Sequence, residues 1–247
     1  EGHAQAMAEL LQILLIAGAV GEVDIHVGGR LFGGVVVVLM NGKRVHGRVA
    51  RPDFPSLYRG AKLVWEKAGD LYDLSEQLAI QKSIDSRIGD SVLAFAYPPT
   101  TALLLAPLGW TSFSKAYLIM TVVNAVVLVV ALHLLTASLR LNRDQTTWLV
   151  LTTFSSFAVH SSILQEQTSL IILLLLVLVI RSSMYGTQAA AGFCSGALFF
   201  KPQLLPVTLL VLLAQRRWRG LALAIFLAAL LTVFSGLIVG WEGIADY

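Results

Sequence analysis

Long runs of apolar residues constrain this chain more than any other feature of its sequence. Three of them, at 116–135, 168–180 and 221–240, are long enough or nearly long enough to cross the roughly 30 Å hydrocarbon core of a bilayer as helices. They lack the alternating pattern of a membrane barrel strand, so the spans are predicted to be α-helical. With 56% hydrophobic and only 13% charged residues, the composition indicates a polytopic membrane protein.

The net charge of +3 does not indicate a nucleic-acid partner. The basic residues cluster at the ends of apolar runs, where they are typical of orientation signals in a membrane protein. The single cysteine, Cys194, excludes a disulfide within the chain. No cluster of Cys, His and Asp residues has metal-ligand spacing, so neither a metal nor a cofactor is predicted.

The sequence predicts a first part with the first span (1–50), a polar loop with interfacial helices (51–91) and a transmembrane helical bundle (92–247). Because the chain begins with Glu1 and stops shortly after an apolar run, we expect a fragment truncated at its C-terminus. The seven spans predicted in the third part are 92–109, 114–138, 146–160, 168–180, 188–200, 202–214 and 221–240.

The polar loop holds 13 of the 33 charged residues, all between Arg51 and Asp90. A first helix is predicted to begin at Pro55 and to end near Gly69. Its apolar face, which we expect to lie in the membrane interface, carries Leu57, Ala61, Val64, Trp65 and Ala68. Its opposite, polar face carries Arg59, Lys62 and Glu66. A second, weaker helix is predicted at 74–84.

The orientation of the spans is open. Arginines at 140, 143, 181, 216, 217 and 219 are expected on the cytoplasmic side. Seven full crossings would put the polar loop on that side too. The loop is extracytoplasmic only if one segment does not cross, and the candidates are 97–110 or a single kinked span over 188–214.

Several polar residues stand where membrane chemistry needs them. Asp53 is a candidate general base at the membrane surface, although a capping or solvated aspartate fits its position too. Glu166, beside Gln167, is the only acid between Asp144 and Glu242, and it is either functional or part of a solvated turn.

Two further motifs lie next to prolines. Tyr97-Pro98-Pro99 opens a span, either as a stiff helix start or beside a polar cavity. Lys201, followed by Pro202, interrupts an apolar run, where it either pairs with an anion such as a lipid phosphate or extends to the interface.

These motifs, in their order, resemble family 87 glycosyltransferases, the DUF2029 group with the GT-C fold. The resemblance covers 52 to the end of the chain. It is carried by Asp53-Phe54, Tyr58, Ala61, Asp70-Leu-Tyr-Asp73, Tyr97-Pro98-Pro99, Ala106-Pro107-Leu108, the turn at 165–167, Ala191-Gly192, Lys201-Pro202-Gln203 and Arg216-Arg217-Trp218-Arg219. The family usually has Gly-Gln where this chain has Glu166-Gln167, and its members are considerably longer.

The resemblance implies an all-α, GT-C-like transmembrane bundle in the bacterial plasma membrane, with an amphipathic polar loop after the first span on the extracytoplasmic side. The implied reaction moves a mannosyl or arabinofuranosyl unit from a polyprenyl-phosphate donor to a hydroxyl of a glycolipid or cell-envelope polysaccharide. Asp53 would accept the acceptor proton, and a lysine or arginine would hold the phosphate. The predicted substrate-binding residues are Arg59, Lys62, Tyr97, Glu166, Gln167 and Lys201. The alternative is a transporter or lipid flippase, but polar content confined to one early loop favours the enzyme.

Overall fold

The structure is a computed structural model, and it describes residues 54–84 and 94–241. In these two ranges the chain forms helices and turns without a β-strand, which confirms the prediction of an all-α membrane bundle. The α-helices are α1 (Phe54–Glu66), α2 (Leu74–Ile84), α3 (Pro99–Gly109), α4 (Phe113–Leu139), α5 (Arg143–Ser155), α6 (Phe157–Leu164), α7 (Ser169–Tyr185), α8 (Gln188–Ala197), α9 (Leu205–Ala214) and α10 (Trp218–Val239). Single 3-10 turns occur at Ala68–Asp70, Leu198–Phe200 and Pro202–Leu204. The predicted first span and Asp53 lie outside the described residues.

Two of the described helices are long and apolar enough to cross a membrane. At 1.5 Å per residue, α4 is about 40 Å long and α10 about 33 Å. Helices α5 and α6 count as a third span only if they are taken together, because the chain bends by 55° between them.

Three other predicted spans are shorter than expected. Helix α3 is about 16 Å long, and α8 and α9 are about 15 Å each, so none of these three crosses alone. These lengths agree with the expectation that not every predicted segment crosses the membrane by itself. Prolines explain two of the helix boundaries. Pro99 begins α3, and Pro202 lies in the break between α8 and α9.

Three helix termini meet at one end of the bundle, which we call the basic end. The Tyr185 hydroxyl donates to the carbonyl oxygen of Ser138 (2.8 Å), and the Arg140 guanidinium lies over the Tyr185 ring. Arg217, just before α10, donates to the carbonyl oxygens of Ser182 and Ser183 in the last turn of α7. The arginine clusters at 140, 181 and 217 thus share one side, as their sequence positions suggested.

The charged segment lies at the opposite end, which we call the loop end. Phe54 and Tyr58 of α1 contact the ring of Phe113 at the start of α4, with centroids 5.5 and 5.3 Å apart. Val239 at the end of α10 belongs to the same core. Helix α4 runs from the loop end to the basic end, so the polar loop and the arginines lie at opposite ends of the bundle.

Helix α3 lies at the loop end of the bundle. It packs along α1, and the indole N–H of Trp65 donates to the carbonyl oxygen of Ala106 (2.6 Å). A Cβ atom added at Gly109 would lie 2.5 Å from the carbonyl oxygen of Ala61, so the two backbones are in direct contact. Helix α3 therefore lies beside α1 at the loop end, and its 11 residues are too few to cross a bilayer alone.

Helix α1 differs from the predicted surface helix. Arg59, expected on a wet face, is 0% exposed. The segment after the undescribed residues 85–93 covers that face, because the ring of Phe95 packs on Gly60 and Ser56 donates to the carbonyl oxygen of Ala94 (3.2 Å). A glycine lets a ring approach this closely, and helical spacing alone does not reveal it. Helix α2 has the predicted bounds.

Candidate functional site

The turn between α6 and α7 is the centre of the candidate site. Its backbone is closed by hydrogen bonds from the N–H of Glu166 to Ile163 (3.3 Å) and from the N–H of Gln167 to Ser162 (3.0 Å). Glu166 has a φ of 51°, in the left-handed region that a residue with a side chain rarely adopts. Glycine, which the resemblance would place at this position, adopts that conformation without strain.

The Glu166 side chain is completely buried, at 0% exposed. One carboxyl oxygen lies 2.6 Å from the Thr121 hydroxyl, and the other accepts a hydrogen bond from the Asn124 amide at 3.0 Å. Burial raises the pKa of the Glu166 carboxyl, and the two hydrogen bonds partly oppose that rise. A buried acid of this kind fixes its surroundings more readily than it contacts a substrate.

The same turn holds the start of α1. The backbone N–H of Phe54 donates to the carbonyl oxygen of Gln165 (3.2 Å), and the Tyr117 hydroxyl donates to that of Leu164 (3.1 Å). The rings of Phe54 and Tyr117 meet edge to face, with centroids 5.4 Å apart. Phe54 is the chain neighbour of Asp53, which lies outside the described residues.

The two predicted cations of α1 have different surroundings. Burial lowers the pKa of Arg59 to about 10, so its guanidinium is still charged at neutral pH. Lys62 is partly exposed and pairs with Glu66 at 3.5 Å, one helical turn later. Surface pairs of this spacing contribute about 0.3–0.5 kcal/mol, so Lys62 is available to other anions at little cost.

Lys201 lies at the tip of a hairpin formed by α8 and α9. Both arms begin or end next to the basic end, so the tip points away from it. The Thr101 hydroxyl of α3 donates to the carbonyl oxygen of Phe200 (2.8 Å), which attaches this tip to α3. Within 54–84 and 94–241, the Lys201 ammonium makes neither an ion pair nor a hydrogen bond, so Glu166 is not its partner there.

Tyr97 stands just before α3, on the same segment that reaches the Lys201 tip. Its carbonyl oxygen accepts a hydrogen bond from the Tyr72 hydroxyl (2.8 Å), and its ring contacts Phe95 at 5.7 Å. The Gln167 side chain is bound within its own turn. Its Nε2 donates to Oε1 of Gln165 (3.1 Å), and its Oε1 accepts a hydrogen bond from the Ser169 hydroxyl (3.2 Å).

The predicted site residues therefore fall into two groups at the loop end. One group surrounds Glu166 and Gln167 and includes the start of α1. The other contains Tyr97 and Lys201. Ile171 packs against the apolar clusters on both sides and so lies between them.

Sequence reasoning missed the residues of α4 that hold Glu166. Tyr117, Thr121 and Asn124 lie on one helical face at spacings of four and three residues. Asn124 is buried at 0% exposed in an otherwise apolar span, where an amide needs a partner. That polar stripe in an apolar run was the available signal. Among the described residues, no three His, Cys, Asp or Glu side chains gather to hold a metal ion.

Comparison with known proteins agrees with this architecture of apolar helices around a polar loop end. The model of glycosyltransferase family 87 matches residues 95–247, well over half of the chain. The chain belongs to glycosyltransferase family 87.

Two curated relatives carry the name alpha-(1->3)-arabinofuranosyltransferase, and both come from Mycobacterium tuberculosis, strains CDC 1551 / Oshkosh and ATCC 25618 / H37Rv. Each is 33% identical over 146 residues, which cover 56% of this chain. The chain spans about a third of the length of these relatives (33%). No solved structure matches the chain significantly.

Proposed function

We propose that this protein is an integral-membrane glycosyltransferase that moves a mannosyl or arabinofuranosyl unit from a polyprenyl-phosphate donor. The acceptor is a hydroxyl of a glycolipid or a cell-envelope polysaccharide, and the location is the bacterial plasma membrane. Family membership and the arabinofuranosyltransferase name of two relatives support this reaction class. The observation that carries it in the structure is the hydrogen bond of Phe54 to Gln165, because it attaches the residue after Asp53 to the buried turn.

The proposed chemistry needs a base and an anion-binding group. Asp53 takes the proton from the acceptor hydroxyl, the acceptor oxygen bonds to the anomeric carbon, and the bond from that carbon to the phosphate oxygen breaks. The leaving polyprenyl phosphate gains negative charge in this step. A cation held nearby stabilises that charge more in the transition state than in the ground state.

Lys201 is our candidate for the phosphate contact. It stands at the tip of an apolar hairpin, and no described residue neutralises its ammonium. An unpaired charge near the hydrocarbon is costly, and a lipid phosphate offsets that cost. Tyr97, on the segment attached to this tip, is our candidate to line the same site, and Arg59, Lys62 and Gln167 remain proposed substrate-binding residues. Because Glu166 is fully buried, we propose for it a positioning role in place of the predicted contact with substrate.

We infer the orientation from the two ends of the bundle. Arg140, Arg181 and Arg217 mark the basic end as cytoplasmic by the positive-inside tendency. The loop end is then extracytoplasmic, and a lipid-linked donor reaches it sideways from the bilayer. We keep the division into 1–50, 51–91 and 92–247 as part of this proposal. A transporter or flippase is not favoured, because no comparison points to one.

The reaction class is tested by assaying transfer in membranes that contain the protein. Polyprenyl-phosphate arabinofuranose and polyprenyl-phosphate mannose, each with a radiolabelled sugar, are supplied with arabinoside or mannoside acceptors. We expect label to move to one acceptor class from one donor and not from a nucleotide sugar. Transfer from the nucleotide sugar alone, or movement of the intact lipid without transfer, would contradict the proposal.

A further inference from the structure

The hydrogen-bond partners of Glu166 determine how many protons the cluster needs. The Thr121 oxygen lies 2.6 Å from one Glu166 carboxyl oxygen and 3.0 Å from the carbonyl oxygen of Tyr117. A threonine hydroxyl has one proton, so it can make a full two-centre hydrogen bond to one of these acceptors and not to both. If Glu166 is ionised, one of these two short contacts has no proton.

A protonated Glu166 removes this shortage. The carboxylic acid donates to the Thr121 oxygen, the Thr121 hydroxyl donates to the carbonyl oxygen of Tyr117, and the Asn124 amide donates to the second carboxyl oxygen. Each contact then has a donor and an acceptor. The distances are the same for both directions of the Thr121 bond.

The surroundings also favour the neutral form. Glu166 is fully buried and forms no ion pair within the described ranges. The side chains of α4 that face it are a tyrosine, a threonine and an asparagine, and Tyr117 is the titratable one among them. A buried carboxylate without a cation is costly, whereas a buried carboxylic acid with all its hydrogen bonds made is not.

We propose that Glu166 is a neutral carboxylic acid that positions the turn at 164–168 and does not itself bind substrate. Its two hydrogen bonds to α4 hold the backbone of Glu166 in the left-handed region. The carbonyl oxygen of the preceding residue, Gln165, accepts the hydrogen bond from the N–H of Phe54. Glu166 thus acts on the start of α1 through the turn. The consequence for transfer rests on the proposed function, while the neutral state does not.

The protonation state has a direct measurement. Infrared spectra of the whole protein in lipid nanodiscs at pH 7.5 are recorded for the wild type and for Glu166→Gln. We expect the carbonyl band of a protonated carboxylic acid in the wild type and its loss in Glu166→Gln. Glu66→Gln, which removes an exposed acid of α1, is the control and should keep the band. An identical spectrum for wild type and Glu166→Gln in this region would overturn the neutral state.

The positioning role is read from paired variants. A glutamine has nearly the same shape as the neutral acid. Glu166→Gln should therefore unfold at the same temperature as the wild type, and its kcat should be within about threefold of the wild-type kcat. Glu166→Ala should lower kcat by about 10- to 100-fold with a smaller change in KM, because the turn shifts. A loss of transfer in Glu166→Gln at unchanged unfolding temperature would show that the carboxylate takes part in the chemistry, and failure of Glu166→Gln to fold would also contradict us. If the wild type transfers no sugar, the proposed function fails, and the infrared and unfolding measurements still decide this inference.

Discussion

The backbone N–H of Phe54 donates a hydrogen bond to the carbonyl oxygen of Gln165 across 3.2 Å. This bond joins the start of the polar loop to a turn between two membrane helices. The candidate base Asp53 directly precedes Phe54 in the sequence, so this bond attaches its chain neighbour to the turn that contains the buried Glu166. If the arrangement serves sugar transfer, changes to it alter the transfer rate, and if it serves only the fold, they alter only the unfolding temperature.

The first prediction concerns the phosphate contact. Lys201→Met should weaken donor binding by about 10- to 100-fold, since a hydrogen bond to a charged group contributes about 1.5–3 kcal/mol. The fold should be intact, because Lys201 pairs with no described residue. Donor affinity and unfolding temperature of the purified protein check both parts, with Lys115→Met, an exposed lysine of α4, as the control. Unchanged donor affinity would remove Lys201 from the site.

The second prediction concerns the close packing of α8 on α10. A Cβ atom at Gly192 would lie 2.3 Å from the carbonyl oxygen of Gly220, so Gly192→Ala forces two backbones apart. We expect a loss of about 1–3 kcal/mol of stability. Gly69→Ala meets no atom within 4 Å and serves as the matched control. The unfolding temperature in detergent should therefore fall for Gly192→Ala and not for Gly69→Ala. Equal unfolding temperatures for the two variants would contradict this packing.

The third prediction is a dependence of stability on pH. The pKa of Glu166 is raised in the folded protein above its ordinary 4.5, so the folded state keeps a proton that the unfolded state releases. The stabilisation from Glu166 is full below pH 4.5 and is lost as pH rises through the folded pKa. Glu166→Gln has no such proton and should show a flatter curve of unfolding temperature against pH. Parallel curves for the two proteins would contradict the raised pKa.

The fourth prediction tests the orientation. In a Cys194→Ala background, Ser75→Cys places a thiol at the exposed start of α2, and Gln215→Cys places one at the basic end. An impermeant thiol reagent should label Ser75→Cys in intact cells and Gln215→Cys only after the membrane is opened. The reverse pattern would put the polar loop in the cytoplasm.

Sequence reasoning succeeded where one helix face decides the structure. The bounds of α2 and the apolar residues Leu57 and Ala61 of α1 follow from local spacing. The charge pattern alone left open on which side of the bundle the polar loop lies relative to the arginines. It failed where a distant segment changes the environment. Arg59 looked exposed, but Phe95 packs on Gly60 and closes that face.

The candidate site was predictable only in part. Glu166 stood out as a lone acid in an apolar region, yet its partners Thr121 and Asn124 lie in another helix, and a single sequence does not show which face of α4 meets the turn. The lengths of α3, α8 and α9 were overestimated for a similar reason. Apolar composition reports burial in lipid or protein, but it does not show where a proline-broken helix turns back.

The central claim is that Asp53 is the base of a glycosyl transfer at the loop end. The most direct measurement compares the rate of transfer in membranes containing the wild type, Asp53→Asn and, as the control, Asp144→Asn, an exposed acid at the start of α5. Our account predicts a fall of about 10²- to 10⁴-fold for Asp53→Asn at an unchanged protein level, and no change for the control. A rate near that of the wild type in Asp53→Asn would contradict the account.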